Sequence, residues 1–122
     1  MLSNKPLKLT VPLNGSIVGQ PSMPITERIQ KLEEEVCDEE SFLTFVVALA
    51  EDWEDEREKE ARHPSPPYGP GANGWENGTI GAFLEAASAW AAASQRGTEF
   101  YSPPSNVWRR CAQILHAGKF YE

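Results

Sequence analysis

Apolar residues recur along this chain at helical spacing in four separate blocks. Ile25, Ile29, Leu32 and Val36 fall at i, i+4, i+7 and i+11, a narrow stripe among Glu, Lys and Arg. Phe42, Phe45, Val46, Leu49, Ala50 and Trp53 follow at i, i+3, i+4, i+7, i+8 and i+11. They predict an amphipathic helix over about 39–61, capped by Asp38 and stopped before Pro64. A third helix, capped by Thr79 or Asn77, should turn Ile80, Phe83, Leu84, Ala87, Trp90 and Ala91 inward and end near Gly97. Its many alanines favour the helix and allow close approach of a neighbour. A fourth helix, capped by Ser105 or Asn106, carries Trp108, Cys111, Ala112 and Leu115 on one face, with Gly118 placed as its C′ residue. Phe120 and Tyr121 then fold back on the core or lie on the surface. Trp53, Trp90 and Trp108 read as mutual core contacts.

Two segments break the helical pattern. Residues 63–78 hold His63, four prolines (64, 66, 67 and 70) and four glycines (69, 71, 74 and 78), so they form a long irregular loop. Within it Trp75 reads as a plug pinning the loop to the core, with an exposed anchor as the other option. Residues 1–24 read as an arm outside the core. Leu7, Leu9, Val11 and Leu13 alternate, and Asn14-Gly15 before Ser16-Ile17-Val18 is a hairpin signal. The expected fold class is therefore all-α: a compact domain of three to four helices over 25–122, with a long Pro/Gly loop and an N-terminal extended arm or hairpin.

Composition sharpens this picture at two points. The 122 residues include four Trp, three Tyr and five Phe, enough aromatic mass for a real core. No apolar run reaches the ~20 residues of a membrane span, and no signal-peptide core is present, which points to a cytoplasmic protein with no membrane partner. Cys37 and Cys111 lie far apart without a CxxC and read as small buried hydrophobes. Charge is the stronger signal. Of a net −7, residues 33–60 carry thirteen acids against only Arg57 and Lys59, and the remainder of the chain is net basic. An acidic face repels phosphate backbones, so nucleic acid is excluded as a partner and a basic protein is favoured.

Candidate chemistry is thin. Glu51, Asp52, Asp55, Glu56 and Glu60 fall at i, i+1, i+4, i+5 and i+9, so several share a helix face as a divalent-metal site requires, and Glu51-x-x-Glu54 resembles one cluster of helical nucleotide pyrophosphohydrolases. The third helix offers only Glu85, followed by Ser88, so the second cluster is missing and a solvated acidic face is the better reading. No catalytic residue, metal ligand or cofactor is assigned. The loop glycines lack the GxxxxGK[ST] pattern of a phosphate-binding loop. Cys111 and His116 diverge around one helix and make no nucleophile pair. His116 favours the helix C-terminus electrostatically, and Arg109, Arg110 and Lys119 are expected to pair with the acidic second helix.

Several of these residues together resemble a small bacterial family catalogued as a domain of unknown function. They are Phe42-Leu43-x-Phe45-Val46-x-x-Leu49-Ala50-x-Asp52, Gly74-Trp75-Glu76-Asn77-x-Thr79-Ile80, Phe83-Leu84-Glu85-Ala86-Ala87-x-Ala89-Trp90, and Trp108-Arg109 through Gly118-Lys119-x-Tyr121-Glu122. The similarity covers about 36–122. It implies a bacterial, intracellular protein and carries no activity, cofactor or catalytic residue with it.

The expectation is a non-enzymatic acidic protein-binding module, its contact surface formed by Asp52, Asp55, Glu56, Tyr68, Trp75, Glu76 and Asn77. An immunity-like protein that neutralises a basic toxin is its most concrete form, by analogy of size and charge. The alternatives are a small divalent-metal-dependent hydrolase on the acidic second helix, and a structural homodimer held by the 1–24 arm.

Overall fold

The computed structural model describes residues 23–122, which form four helices and no strand. They are α1 (Ile25–Glu35), α2 (Glu39–Arg62), α3 (Ile80–Ser94) and α4 (Val107–Phe120). None of them is long and apolar enough to cross a membrane. The arm or hairpin expected over 1–24 lies outside the described residues except for Met23 and Pro24.

Each helix starts where a short polar side chain or proline precedes the apolar stripe. Asp38 Oδ1 accepts from the Ser41 amide at 2.9 Å while Ser41 Oγ accepts from the Asp38 amide at 3.1 Å, a reciprocal cap for α2. Thr79 Oγ1 accepts from the Ala82 amide at 3.1 Å and starts α3. Asn106 Oδ1 accepts from the Arg109 amide at 3.1 Å and starts α4. Those caps satisfy amides that a helix cannot bond internally.

α1 packs on α2 and α4, α2 on α4, and α3 mainly on α4. Ile29 of α1, Val36 just past its C-terminus, Phe45, Ala48 and Leu49 of α2, and Ala112 of α4 form the buried core together with Trp75 from the loop. α3 and α4 meet through small residues. Ala86, Ala87, Ala117 and Gly118 are buried there, and a Cβ on Gly118 would stand 2.9 Å from the Phe83 carbonyl oxygen. Gly118 is thus an interior residue of α4 that admits Phe83. It does not end the helix, which runs to Phe120.

The α3–α4 packing also corrects the expected orientation of α3. Ile80 and Leu84, expected inward, are 81% and 57% exposed. α3 seats its alanine face on α4, which leaves the Ile80/Leu84 edge beside α2 without a helix against it. The three helical tryptophans do not meet one another. Trp53 lies edge-on to Trp75 at 5.1 Å, Trp90 to Tyr101 at 5.2 Å, and Trp108 tilts against Phe42 at 5.5 Å. Both cysteines are free, and Cys37 is exposed where a buried position was expected.

The basic residues of α4 divide their roles. Lys119 reaches α2, as expected. Arg109 donates to the Val36 carbonyl at 3.2 Å and Arg110 to the Ala91 carbonyl at 2.9 Å, closing the ends of α1 and α3 instead. Carbonyls at a helix end are unsatisfied acceptors, and a guanidinium is a ready donor to them. His116 bonds Glu33 of α1 and packs its ring between Phe45 and Phe120.

Candidate functional site

The acids on the second half of α2 hold the loop. Asp52 is fully buried and accepts from Lys119 Nζ at 2.7 Å and Trp75 Nε1 at 2.9 Å on Oδ2, and from Asn73 Nδ2 at 3.0 Å on Oδ1. Glu56, 1% exposed, accepts from the amides of Asn73 at 2.7 Å and Trp75 at 3.3 Å, and its other oxygen pairs with Arg57. Glu60 takes the Ser65 hydroxyl and amide and, at 2.8 Å, the Ala72 amide. Loop backbone that would otherwise bury unpaired N–H groups is therefore received by a ladder of carboxylates one helical turn apart. A Cβ on Gly71 would meet the Glu56 carboxylate at 2.1 Å, so the ladder requires a residue without a side chain at that turn.

The pKa directions follow these bonds. Asn73 Nδ2 and then Lys59 hold the Asp55 carboxyl below its usual range. The Ser65 hydroxyl and amide do the same for Glu60. Glu76 is raised, because its carboxyl faces that of Glu122.

The loop in turn closes α4. The amides of Glu76 and Asn77 donate to the Lys119 carbonyl at 2.9 and 3.2 Å. Asn77 Nδ2 donates to the carbonyls of Gly118 at 3.0 Å and Tyr121 at 3.1 Å. Trp75 is a plug, 8% exposed, packed edge-on to Trp53 and tilted against Phe83.

The sequence-expected contact residues therefore divide. Asp52, Glu56 and Trp75 are buried, and Asn77 is spent on the α4 terminus. A partner reaches neither carboxylate without unfolding the loop, and it reaches Trp75 only through the groove that this ring lines. Asp55 is half-buried against Asn73 and Lys59. Tyr68 is 100% exposed at the loop tip and Glu76 is exposed. The acids of a hydrolase are similarly occupied: Glu51 pairs with Arg28 at 3.2 Å, and Asp52, Asp55 and Glu56 have the partners given above. Among the described residues, no three of His, Cys, Asp and Glu converge to hold a metal ion.

What the fold leaves open is an apolar groove of about 570 Å³ between α2 and the start of α3. Val46, Ala50 and Trp53 form one wall, Ile80, Phe83 and Leu84 the other, and Trp75 and Leu115 the floor. Glu54 stands on the rim. Arg57 lies over the Trp53 ring at 4.2 Å, shielding one end. The groove is within the ~300–1,000 Å³ usual for binding clefts and is almost wholly apolar, so it can bury hydrophobic anchors but offers no chemistry. Leu43, 50% exposed, extends the same face of α2. The sequence carried a signal for this. Leu43, Val46, Val47 and Ala50 widen the apolar arc of α2 beyond what one neighbouring helix covers.

A second cleft, about 370 Å³, is lined by Trp90, Tyr101, Gln113, His116 and Phe120 beside Glu33. Its polar groups bond each other: Tyr101 to Gln113 at 2.6 Å, Arg110 to Tyr101 at 3.0 Å, and His116 to Glu33.

Residues 38–122 match the model of a Family of unknown function (DUF7660). The chain matches no curated protein and no solved structure.

Proposed function

The chain belongs to that family of unknown function, and we propose that it is a non-enzymatic module that binds a basic protein through the α2–α3 groove. The observation that carries this reading is the exposure of Ile80 and Leu84 over a preformed apolar cleft floored by a fixed Trp75. Contiguous exposed apolar surface of this kind marks an interaction site rather than ordinary surface. Preformed walls also reduce the ordering cost of binding. Glu54 on the rim and the exposed Glu58 one turn on steer a basic partner and add salt dependence. Tyr68 supplies an aromatic contact beside the loop. Neutralisation of a basic toxin is the most concrete form of this reading, in an intracellular setting.

The groove shifts the contact surface away from Asp52 and Glu56. Charge reversal at Glu56 tests folding, not recognition. The test of function is affinity capture from source-cell lysate at low and moderate salt, repeated with an Ile80→Glu/Leu84→Glu bait. The reading expects a stoichiometric basic protein that salt weakens and the groove variant loses. An empty capture by folded bait, or equal capture by both baits, rejects it.

A further inference from the structure

Resting on that reading of the groove, we infer that residues 7–13 of the same chain occupy it in the free protein and must leave before a partner enters. Three observations converge on this occupant. Leu7, Leu9, Val11 and Leu13 alternate with other residues, so in an extended conformation all four point to one side, an apolar edge about 20 Å long. The groove wall on α2 runs from Val46 to Glu54, about 12 Å at helical rise, so it takes two or three of those side chains.

The connection is long enough. α1 begins beside the groove's own stretch of α2, where Arg28 bonds Glu51 at 3.2 Å, next to the groove-lining Ala50. Residues 14–22 span up to about 30 Å when extended, against a helix diameter of roughly 10 Å. The charges match as well. Residues 1–22 hold Lys5 and Lys8 and no acid. Residues 23–122 hold the other nine basic residues and all eighteen acids, a net −9, with Glu54 on the groove rim. Pro6 and Pro12 remove backbone donors, so this segment suits a side-chain groove better than pairing within a sheet.

Self-occupancy shields Ile80 and Leu84 from nonspecific association and lowers apparent partner affinity by the fraction of open molecules. The first arm of the test needs no partner. In the methyl-labelled full-length chain, NOEs are expected from Leu9 and Val11 to Trp53, Ile80 and Leu84 at dilute concentration. They should be absent from a mixed sample of labelled and unlabelled chains filtered for intermolecular contacts. Absence of these NOEs overturns the inference, and so does their appearance only between chains, which would assign the groove to a second copy. Leu9→Ser/Val11→Ser should raise partner affinity several-fold, since it removes the competitor; unchanged or weakened affinity counts against it. If the NOEs are present but Ile80→Glu/Leu84→Glu leaves partner binding intact, the binding reading fails and self-occupancy stands. If the NOEs are absent and that variant abolishes partner binding, the reverse holds.

Discussion

Lys119 of α4 places its ammonium 2.7 Å from Asp52 Oδ2 on α2, with the two side chains 6% and 0% exposed. This pair ties α4 to α2, and it does so together with the loop, because Trp75 and Asn73 donate to the same carboxylate. A buried charge is tolerated only when its oxygens are filled, and here three donors fill them.

Breaking the pair therefore costs more than a surface charge does. Lys119→Met should destabilise by about 3 kcal/mol or more, since Asp52 is left buried with neutral donors only. Lys31→Met, at a side chain 62% exposed, should change stability by less than about 0.5 kcal/mol. Urea unfolding of both variants decides this. A Lys119→Met cost no larger than that of Lys31→Met would mean that the pair is open to water.

The close approach of α3 and α4 makes a second prediction, about glycines in different surroundings. Gly118→Ala pushes a methyl to 2.9 Å from the Phe83 carbonyl oxygen and should cost about 1–3 kcal/mol. Gly81, in the first turn of α3, has nothing within 4 Å of a Cβ, so Gly81→Ala should stabilise by about 0.5–1 kcal/mol. Thermal melts of the two variants should move in opposite directions. The same sign for both would refute the packing described here.

Acid should weaken both the N-terminal cap of α2 and the bonds between α2 and the loop. The carboxyls of Asp38, Asp55 and Glu60 are held below their ordinary values by Ser41, by Asn73 and Lys59, and by Ser65. Groups with depressed folded pKa values stabilise fully above their unfolded values, near about 3.9–4.3. That contribution is lost as pH falls through the lower folded values. Glu76 has the opposite sign. Raised by Glu122, it favours the fold on the acid side and loses that contribution as pH rises through its folded value. Stability measured from pH 2 to 7 should thus fall below about pH 4, with a shallower fall in Glu60→Gln. Glu76→Gln should stabilise slightly at neutral pH; an unaltered slope in the first variant or a loss in the second contradicts these assignments.

The helices were legible in the sequence because periodicity and caps are local properties. Asp38, Thr79 and Asn106 each bond an amide three residues ahead, and the alternation of Pro and Gly over 63–78 forbids regular structure. The role of Trp75 as a plug was legible for the same reason, as a large apolar ring among turn residues. The acids of α2 were not. Asp52 and Glu56 look like their solvated neighbours Glu54 and Glu58 until the loop folds over them. Only the long-range placement of Asn73, Trp75 and Lys119 distinguishes them. Ile80 and Leu84 misled in the opposite sense. Hydrophobic periodicity predicts an inward face, but the Gly118 notch gives the alanine face of α3 the better contact and leaves those two outside.

The most direct measurement is the affinity of a purified captured partner for the wild-type chain and for Ile80→Glu/Leu84→Glu, alongside Tyr68→Ala and Glu58→Lys, by calorimetry. Ile80 and Leu84 are exposed, so their replacement should leave the melting temperature within a few degrees. The account predicts about a hundredfold loss of affinity for the groove pair, as expected when anchors worth 2 kcal/mol or more are removed, and smaller, salt-sensitive losses for the other two. Full affinity in the groove variant with loss in Glu58→Lys or Tyr68→Ala would place recognition on the acidic helix end and the loop, and would contradict the central claim.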